Sequence, residues 1–150
     1  MPGESSTILL VEDSSRDAEL TMLALERSGI TDEVILARDG AEAIAFLHGD
    51  ERNGTSPLAD LPRLVLLDLK LPKMDGIEVL ERIRADQRTA LLPVVVLTSS
   101  VEERDVVACY ERHANSYIQK SVDFTAFNDA VQQIGRYWLA TNIAPPMRAR

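Results

Sequence analysis

Short apolar runs alternate along the chain with longer segments in which apolar residues recur every three or four positions. This alternation is typical of parallel β-strands that are connected by helices. The runs are almost continuously apolar, as expected for strands covered by helices on both faces of a sheet. We therefore predict an α/β fold, an open doubly wound parallel sheet with five helices. The predicted strands cover residues 7–11, 33–37, 64–67, 94–97 and 116–119.

Polar residues mark where the predicted helices begin and end. Ser14, with Asp17 three residues later, has the pattern of an N-cap for the first helix, and Gly29 marks the end of that helix. Ser100 with Glu103 has the spacing of a capping box for the fourth helix, and Asp123 is placed to cap the fifth. The second helix is predicted at about 41–47. Apolar residues at helical spacing define the buried faces of the third and fifth helices: Ile77, Leu80 and Ile83, then Phe127, Val131, Ile134 and Trp138.

Two segments fall outside this pattern. Residues 49–62 contain Gly, Asn, Ser and two prolines. They predict a loop of unusual length for a compact domain, and its role stays open. Pro145 and Pro146 prevent the last helix from continuing through the end of the chain. The 150 residues suit one domain that spans 1–150.

Composition narrows the class of protein. With 45% hydrophobic residues the chain can bury a sizeable core, and its net charge of −8 argues against a nucleic-acid partner. The single Cys109 excludes an internal disulfide and fits a reducing compartment. The sequence contains neither a stretch of about 18 apolar residues nor a basic, apolar start. We therefore expect a cytoplasmic protein without membrane contact.

Chemically active side chains follow four of the predicted strands. Glu12 and Asp13 come after the first strand, Asp68 after the third, Thr98 after the fourth and Lys120 after the fifth. Ligands of open parallel sheets bind beyond the carboxyl ends of the strands. We therefore expect all five side chains to lie together at one edge of the sheet.

Three converging carboxylates repel one another, and a divalent cation would relieve that repulsion. Mg²⁺ prefers oxygen ligands and is commonly held by one or two carboxylates together with a phosphoryl oxygen, and Mn²⁺ is the alternative. Asp68 is then a plausible nucleophile that forms an acyl phosphate. Lys120 would neutralise charge on the transferring phosphoryl group, and Thr98 could donate a hydrogen bond to it.

This set of residues resembles the receiver domain of response regulators in two-component signalling. The resemblance covers roughly residues 6–139 and leaves a tail at 140–150. It rests on the acidic pair, on the motif that begins at Asp68, and on the two residues that follow the last two strands. These are Glu12 and Asp13; Asp68, Pro72, Met74, Asp75 and Gly76 at their fixed spacing; and Thr98 and Lys120. It implies a flavodoxin-like fold with strand order 2-1-3-4-5. It also implies a phosphoacceptor switch rather than an enzyme that acts on other molecules.

The resemblance assigns a role to each residue of the motif. Asp68 would be the phosphoacceptor, and Asp13 with Glu12 would hold the metal together with Asp68 and the backbone carbonyl of Lys70. Lys120 would bind the phosphoryl group. Thr98 and Tyr117 would be the switch residues, with Tyr117 as the aromatic side chain that turns inward on activation.

Two features are similar to one subgroup of that family. The loop at 49–62, and Tyr137-Trp138-Leu139 followed by the two prolines, are similar to single-domain regulators paired with phytochrome-type histidine kinases. This implies such a kinase as partner. The apolar residues that continue to the end of the last helix suggest a homodimer through the face of the fourth helix, fifth strand and fifth helix and through the Trp138 end. Trp138 and Leu139 fit either the core or a partner surface. Ser121 departs from the family's proline after the lysine, so the Lys120–Ser121 bond stays open between cis and trans.

Competing functions lack their own motifs. A phosphatase of the haloacid dehalogenase type needs an aspartate where Lys70 stands, and no Gly-x-x-x-x-Gly-Lys loop is present for a nucleotide hydrolase. In a flavodoxin-like electron carrier, Glu12 and Asp13 would repel the flavin phosphate. A receiver that is never phosphorylated remains the main rival. His48, His113 and Cys109 are predicted to be structural.

Overall fold

The computed structural model describes residues 6–146 and contains one parallel sheet in that range. The strand order is β2-β1-β3-β4-β5, and every neighbouring pair is parallel. The α/β fold and the order 2-1-3-4-5 are therefore confirmed. The strands are β1 (Thr7–Val11), β2 (Glu33–Ala37), β3 (Leu64–Leu67), β4 (Val94–Thr98) and β5 (Ser116–Gln119).

Five α-helices occur within the described residues and cover both faces of the sheet, as predicted. They are α1 (Ser15–Arg27), α2 (Gly40–His48), α3 (Gly76–Ala85), α4 (Glu103–Glu111) and α5 (Phe124–Gly135). Alternate residues of the central strands point to opposite faces and enter two separate apolar clusters. Leu9 and Val65 pack with α2 and α3 on one face, whereas Ile8 and Leu66 pack with α1 and α5 on the other.

Most of the predicted helix ends are confirmed. Ser14 caps α1 by accepting a hydrogen bond from the Asp17 amide at 3.2 Å, and Gly29 follows the helix with φ 90°. Asp123 caps α5 through the Ala126 amide at 2.9 Å.

The capping box predicted for α4 is wrong. The helix begins at Glu103 after Glu102, whose side chain makes no capping hydrogen bond. The Ser100 hydroxyl instead donates to Asp105 Oδ2 at 2.6 Å. Ser100 therefore holds the first turn of α4 through a side-chain contact and lies too early in the chain to be its N-cap.

The segment between α2 and β3 is partly ordered by local hydrogen bonds. Asp50 and Thr55 form an antiparallel bridge around a short 3-10 turn, Glu51–Asn53. The Asp50 carboxylate accepts hydrogen bonds from the Arg52 amide and the Asn53 side chain. The Leu58 amide then donates a hydrogen bond to the Phe46 carbonyl at 2.8 Å, which holds this segment against the end of α2.

The last helix ends in a turn of π-helix, Arg136–Thr141. Leu139 in this turn is buried, and Trp138 packs against the same apolar cluster as α5. Leu139 therefore belongs to the core, whereas Trp138 is half-buried and packs against the core with part of its surface exposed. The chain is extended at Asn142, and residues 147–150 of the tail lie outside the described range.

Arg63 fixes the position of this turn. Its guanidinium makes two hydrogen bonds to Asp32, at 2.6 and 2.8 Å, and a third to the Leu139 carbonyl at 2.9 Å. The start of β3 is thereby joined to both the α1–β2 connection and the end of the last helix. Among the described residues, no helix has the length and apolar character needed to cross a membrane.

Candidate functional site

The register of the sheet brings the ends of its central strands level. Val11, the last residue of β1, pairs with Leu67, the last residue of β3, and Thr98 at the end of β4 pairs with β5. Glu12 and Asp68, which follow these two strands, therefore lie next to each other at the edge of the sheet. The structure thus places the residues that follow the four strands at one edge, as the sequence indicated.

Three carboxylates form a compact group at this edge. Oxygens of Glu12, Asp13 and Asp68 lie within 4.8 Å of one another. Glu12 and Asp68 are buried, whereas Asp13 is exposed. An all-oxygen ligand set of this kind suits a hard divalent cation. The site therefore has the chemistry of a divalent metal site.

Burial dominates the electrostatics of Glu12. Loss of hydration raises the pKa of this carboxyl to about 7, although the hydrogen bond from Lys120 acts in the opposite direction. The negative charge of Asp68 adds to the rise. A bound cation would lower the pKa of Glu12 again, because it stabilises the ionised form of both carboxylates.

Lys120 supplies the positive charge of the site. Its ammonium lies 2.6 Å from Glu12 Oε1, 3.0 Å from Asp68 Oδ2 and 3.0 Å from Asp17 Oδ2. Burial alone would lower the pKa of Lys120, but the Glu12 hydrogen bond and the charge of Asp68, reinforced by Asp17, raise it above its usual value. The lysine is therefore a permanent cation in contact with three carboxylates.

Asp17 is a member of the site that the sequence did not predict. Its position three residues after Ser14 indicated only a helix start. Its carboxylate nevertheless reaches the lysine across 103 positions of sequence. The available signal was an acidic side chain in the first turn of a helix that begins at the same edge as the other site residues.

The backbone after β3 orients Asp68. The Leu69 amide donates to Asp68 Oδ1 at 2.7 Å, which leaves Oδ2 for Lys120. The chain then turns back so closely that a Cβ at Gly76 would collide with the backbone carbonyl of Asp68. The glycine is therefore required for the loop to pass beside Asp68, while Asp75 caps α3.

Two further sequence expectations concern the Lys70 carbonyl and the Lys120–Ser121 peptide bond. The Lys70 side chain is exposed, and none of the backbone hydrogen bonds of the described residues ends on its carbonyl oxygen. No cis peptide bond occurs between residues 6 and 146, so the Lys120–Ser121 bond is trans.

The two predicted switch residues are linked through Ser100. Thr98 is fully buried, and its hydroxyl lies 3.4 Å from the Ser100 amide. Tyr117 is half-buried and donates its hydroxyl hydrogen to the Ser100 carbonyl at 2.8 Å. Burial raises the pKa of Tyr117 above its usual value, so the hydroxyl stays protonated and able to donate. A movement of Thr98 would therefore reach the tyrosine through the backbone of one residue.

The remaining histidines and the cysteine lie outside the site. His48, the last residue of α2, has its Nε2 3.1 Å from Thr89 Oγ1, and His113 follows the end of α4. Cys109 is fully buried, and this burial raises the pKa of its thiol to about 11. A thiol of that kind is unreactive at neutral pH.

Comparison with known proteins identifies the family that shares this geometry. The family model of the response regulator receiver domain matches residues 8–132. The chain belongs to this family. The resemblance drawn from the motif residues is therefore confirmed.

Two relatives match this receiver over nearly its whole length. It is 45% identical to the probable methanogenesis regulatory protein FilR2 of Methanothrix harundinacea, over 92% of this chain and 86% of that protein. It is 46% identical to response regulator Rcp1 of Synechocystis, over 92% of each chain.

Solved structures agree with the fold and the metal chemistry. The Mn²⁺-bound form of Rcp1 superposes with a TM-score of 0.84, at 44% identity over 94% of this chain and 99% of that one. The phosphorylated cyanobacterial phytochrome response regulator RcpA superposes with a TM-score of 0.85, at 40% identity over 95% of this chain and all of that one. Divalent metal binding at the acidic cluster is thereby supported from both the geometry and a relative.

Proposed function

We propose that this receiver domain accepts a phosphoryl group from a sensor histidine kinase onto Asp68 and passes the signal on through protein contacts. The observation that carries the proposal is the pairing of Asp68 Oδ2 with Lys120 Nζ at 3.0 Å beside two further carboxylates. A nucleophile, a fixed cation and a metal ligand set are the parts that phosphoryl transfer needs.

We assign the metal as Mg²⁺, with Mn²⁺ able to take its place as in the Rcp1 structure. Carboxylates of Glu12, Asp13 and Asp68 and the carbonyl of Lys70 would hold it. When bound, the ion would neutralise negative charge on the transferring phosphoryl group. The preference for Mg²⁺ rests on the oxygen ligands, one of which is the exposed Asp13 that leaves room for coordinated water.

The protein's own residues direct the transfer. A carboxylate oxygen of Asp68 forms a bond to phosphorus while the bond to the donor atom breaks, and the donor leaves with that electron pair. The Leu69 amide holds Oδ1 and thereby fixes the plane of the carboxylate. Lys120 donates a hydrogen bond toward the new phosphoryl group. In this proposal the chain catalyses only this transfer and the later hydrolysis of its own acyl phosphate.

We propose that Thr98 and Tyr117 convert phosphorylation into a change of shape. Shifting a population from 1:99 to 99:1 requires about 5.5 kcal/mol of differential binding. A hydrogen bond from Thr98 to a charged phosphoryl oxygen supplies only ~1.5–3 kcal/mol. The remainder would come from Lys120 and from repacking of Tyr117, which is tied to the same β4–α4 connection through Ser100.

We propose a phytochrome-type histidine kinase as the partner, acting in the cytoplasm. Support comes from RcpA, whose structure is that of a phytochrome response regulator and is covered completely by this chain. FilR2 is 45% identical to this chain and RcpA 40%, so the alternative is a kinase of a different sensory class. Phosphotransfer from purified kinases of both classes, timed over seconds, distinguishes them. Faster transfer from the non-phytochrome kinase would refute the pairing.

We propose that the output surface is the face of α4, β5 and α5 and that it forms a homodimer. Val107 and Tyr110, three positions apart on α4, are about half exposed, and neighbouring exposed apolar residues on one helix face suit a partner surface. Tyr110→Glu should abolish dimers in sedimentation velocity runs with beryllofluoride and Mg²⁺. Leu91→Glu places the same charge at an exposed apolar site beyond α3 and should leave them intact. A wild-type protein that stays monomeric at high concentration would rule the dimer out.

Incubation with acetyl phosphate and Mg²⁺, read by intact mass, tests the function itself. We expect one added phosphoryl group, no addition without a divalent cation and no addition in Asp68→Asn. A wild-type chain that stays unmodified under these conditions would support the rival interpretation, a receiver that is never phosphorylated.

A further inference from the structure

Lys120 has three N–H donors, and each faces a different carboxylate. Two of these acceptors, Glu12 and Asp68, also belong to the acidic group within 4.8 Å that can hold a cation. The third acceptor, Asp17 on α1, lies outside that group. A cation at the site would compete with the lysine for Glu12 and Asp68 but leave Asp17 available.

The side chain of Asp17 has no other hydrogen-bond partner among the described residues. The Ser14 cap and the Thr21 hydroxyl both engage the backbone of Asp17, at its amide and its carbonyl. The carboxylate makes its one hydrogen bond within the described residues with Lys120, at 3.0 Å, and its side chain is 31% exposed. Replacing the side chain therefore removes the contact to the lysine while the helix cap remains in place.

We infer that Asp17 is a positioning residue for phosphoryl transfer: it anchors the Lys120 ammonium beside Asp68 when a divalent cation occupies the neighbouring carboxylates. The inference rests on the proposed role of Lys120 in binding the phosphoryl group. Without Asp17, the positive ion would repel the ammonium, and the lysine would keep only Glu12 and Asp68, the two acceptors that also face the metal. Two of its donors would also have to share acceptors with the metal.

Asp17→Ala tests this at saturating Mg²⁺, with the initial rate of phosphorylation by acetyl phosphate followed by intact mass. We expect about a tenfold lower rate, equivalent to ~1.4 kcal/mol in the barrier. Asp17→Glu, which can still reach the ammonium, should recover part of the rate. Glu19→Ala removes the same charge from an exposed position on the same helix and should leave the rate unchanged.

A double-mutant cycle separates positioning from a general charge effect. In the Lys120→Ala background, Asp17→Ala should cause no further loss, because the residue acts through the lysine. Wild-type rates in Asp17→Ala, or an equal loss in both backgrounds, would overturn the inference while phosphorylation of the wild type still upheld the proposed function. A wild-type chain that is not phosphorylated would overturn both.

Discussion

The ammonium of Lys120 lies 3.0 Å from Asp68 Oδ2, although 52 positions of sequence separate the two residues. Their approach follows from the sheet, because β3 and β5 flank β4 and end at the same edge. A phosphoryl group on Asp68 would therefore form against a cation that is already in place. Because the positive charge is already in position, no free energy is spent on reorienting it during phosphoryl transfer.

Substitution of Thr98 should separate phosphorylation from its consequence. Thr98→Ala removes a buried hydroxyl that lies beside the Ser100 amide, while Asp68 and Lys120 keep their contacts. We expect the extent of phosphorylation to change by less than about threefold, while phosphorylation-dependent dimerisation falls about tenfold or more, the equivalent of one charge-assisted hydrogen bond. Thr98→Ser keeps the hydroxyl and should behave like the wild type. Equal phosphorylation-dependent dimerisation in Thr98→Ala would contradict this role.

Metal affinity should rise with pH around neutrality. The pKa of Glu12 is raised by burial to about 7, so the carboxyl is largely protonated at pH 6 and largely ionised at pH 8. Because the cation binds the ionised form, we expect Mg²⁺ affinity to increase about tenfold over this interval. Isothermal titration at several pH values measures it. Glu12→Gln should bind more weakly and with a flat pH profile, and a flat profile in the wild type would argue against the raised pKa.

The raised pKa of Glu12 should also make the metal-free folded chain less stable as the pH rises. Without bound metal, the folded chain holds a proton on Glu12 up to about pH 7, whereas the unfolded chain releases it near pH 4.5. The free energy of unfolding should therefore fall as the pH rises from 4.5 through 7. Denaturant unfolding in EDTA measures this trend, and Glu12→Gln should reduce its slope. A trend that is identical in both proteins would assign it to other groups.

A methyl group at position 76 should disturb the site through the backbone. A Cβ on Gly76 would collide with the carbonyl of Asp68, so either the β3–α3 loop or the end of β3 has to move. Gly76→Ala should lose ~1–3 kcal/mol of unfolding free energy and also slow phosphorylation. Gly54→Ala, in the loop at 49–62, meets nothing within 4 Å. Alanine is strained at the φ of 69° there, so this variant should lose some stability but leave the phosphorylation rate unchanged. A Gly76→Ala variant as stable as the wild type would show that the loop tolerates the methyl group.

Trp138 offers a reporter for the end of the molecule opposite to the site. It is the one tryptophan of the chain and packs beside Leu139, whose carbonyl is held by Arg63. Arg63→Ala should shift its fluorescence emission to longer wavelength as the π-helical turn loosens. Arg63→Lys should shift it partly, because an ammonium cannot reproduce the two-pronged contact with Asp32. Unchanged emission in Arg63→Ala would mean that core packing alone fixes the turn.

The strands of the sheet could be predicted because each one is defined by a short local pattern of residues. Each strand is a short apolar run that stops at a polar residue, and the predicted bounds of β2 agree with the structure at both ends. The order of the strands could not be obtained from periodicity, and it came from the family resemblance. The residues that follow the strands were recognisable because the parallel topology gathers them without further information.

Contacts that depend on packing escaped prediction. The pattern at Ser100 matches a capping box, but its hydroxyl bonds to the Asp105 side chain, and no local rule distinguishes the two outcomes. Asp17 showed only a helix-start pattern because its contact with Lys120 requires the relative placement of α1 and β5. Such side-chain contacts depend on geometry that forms only after the elements assemble.

Mapping the modified residue tests the central assignment most directly. After incubation with acetyl phosphate and Mg²⁺, borohydride reduces an aspartyl phosphate to homoserine, which peptide mass spectrometry locates. We expect homoserine at position 68 in the wild type and at no position in Asp68→Asn. Conversion at Asp13 or at another carboxylate, with Asp68 intact in the wild type, would contradict the assignment.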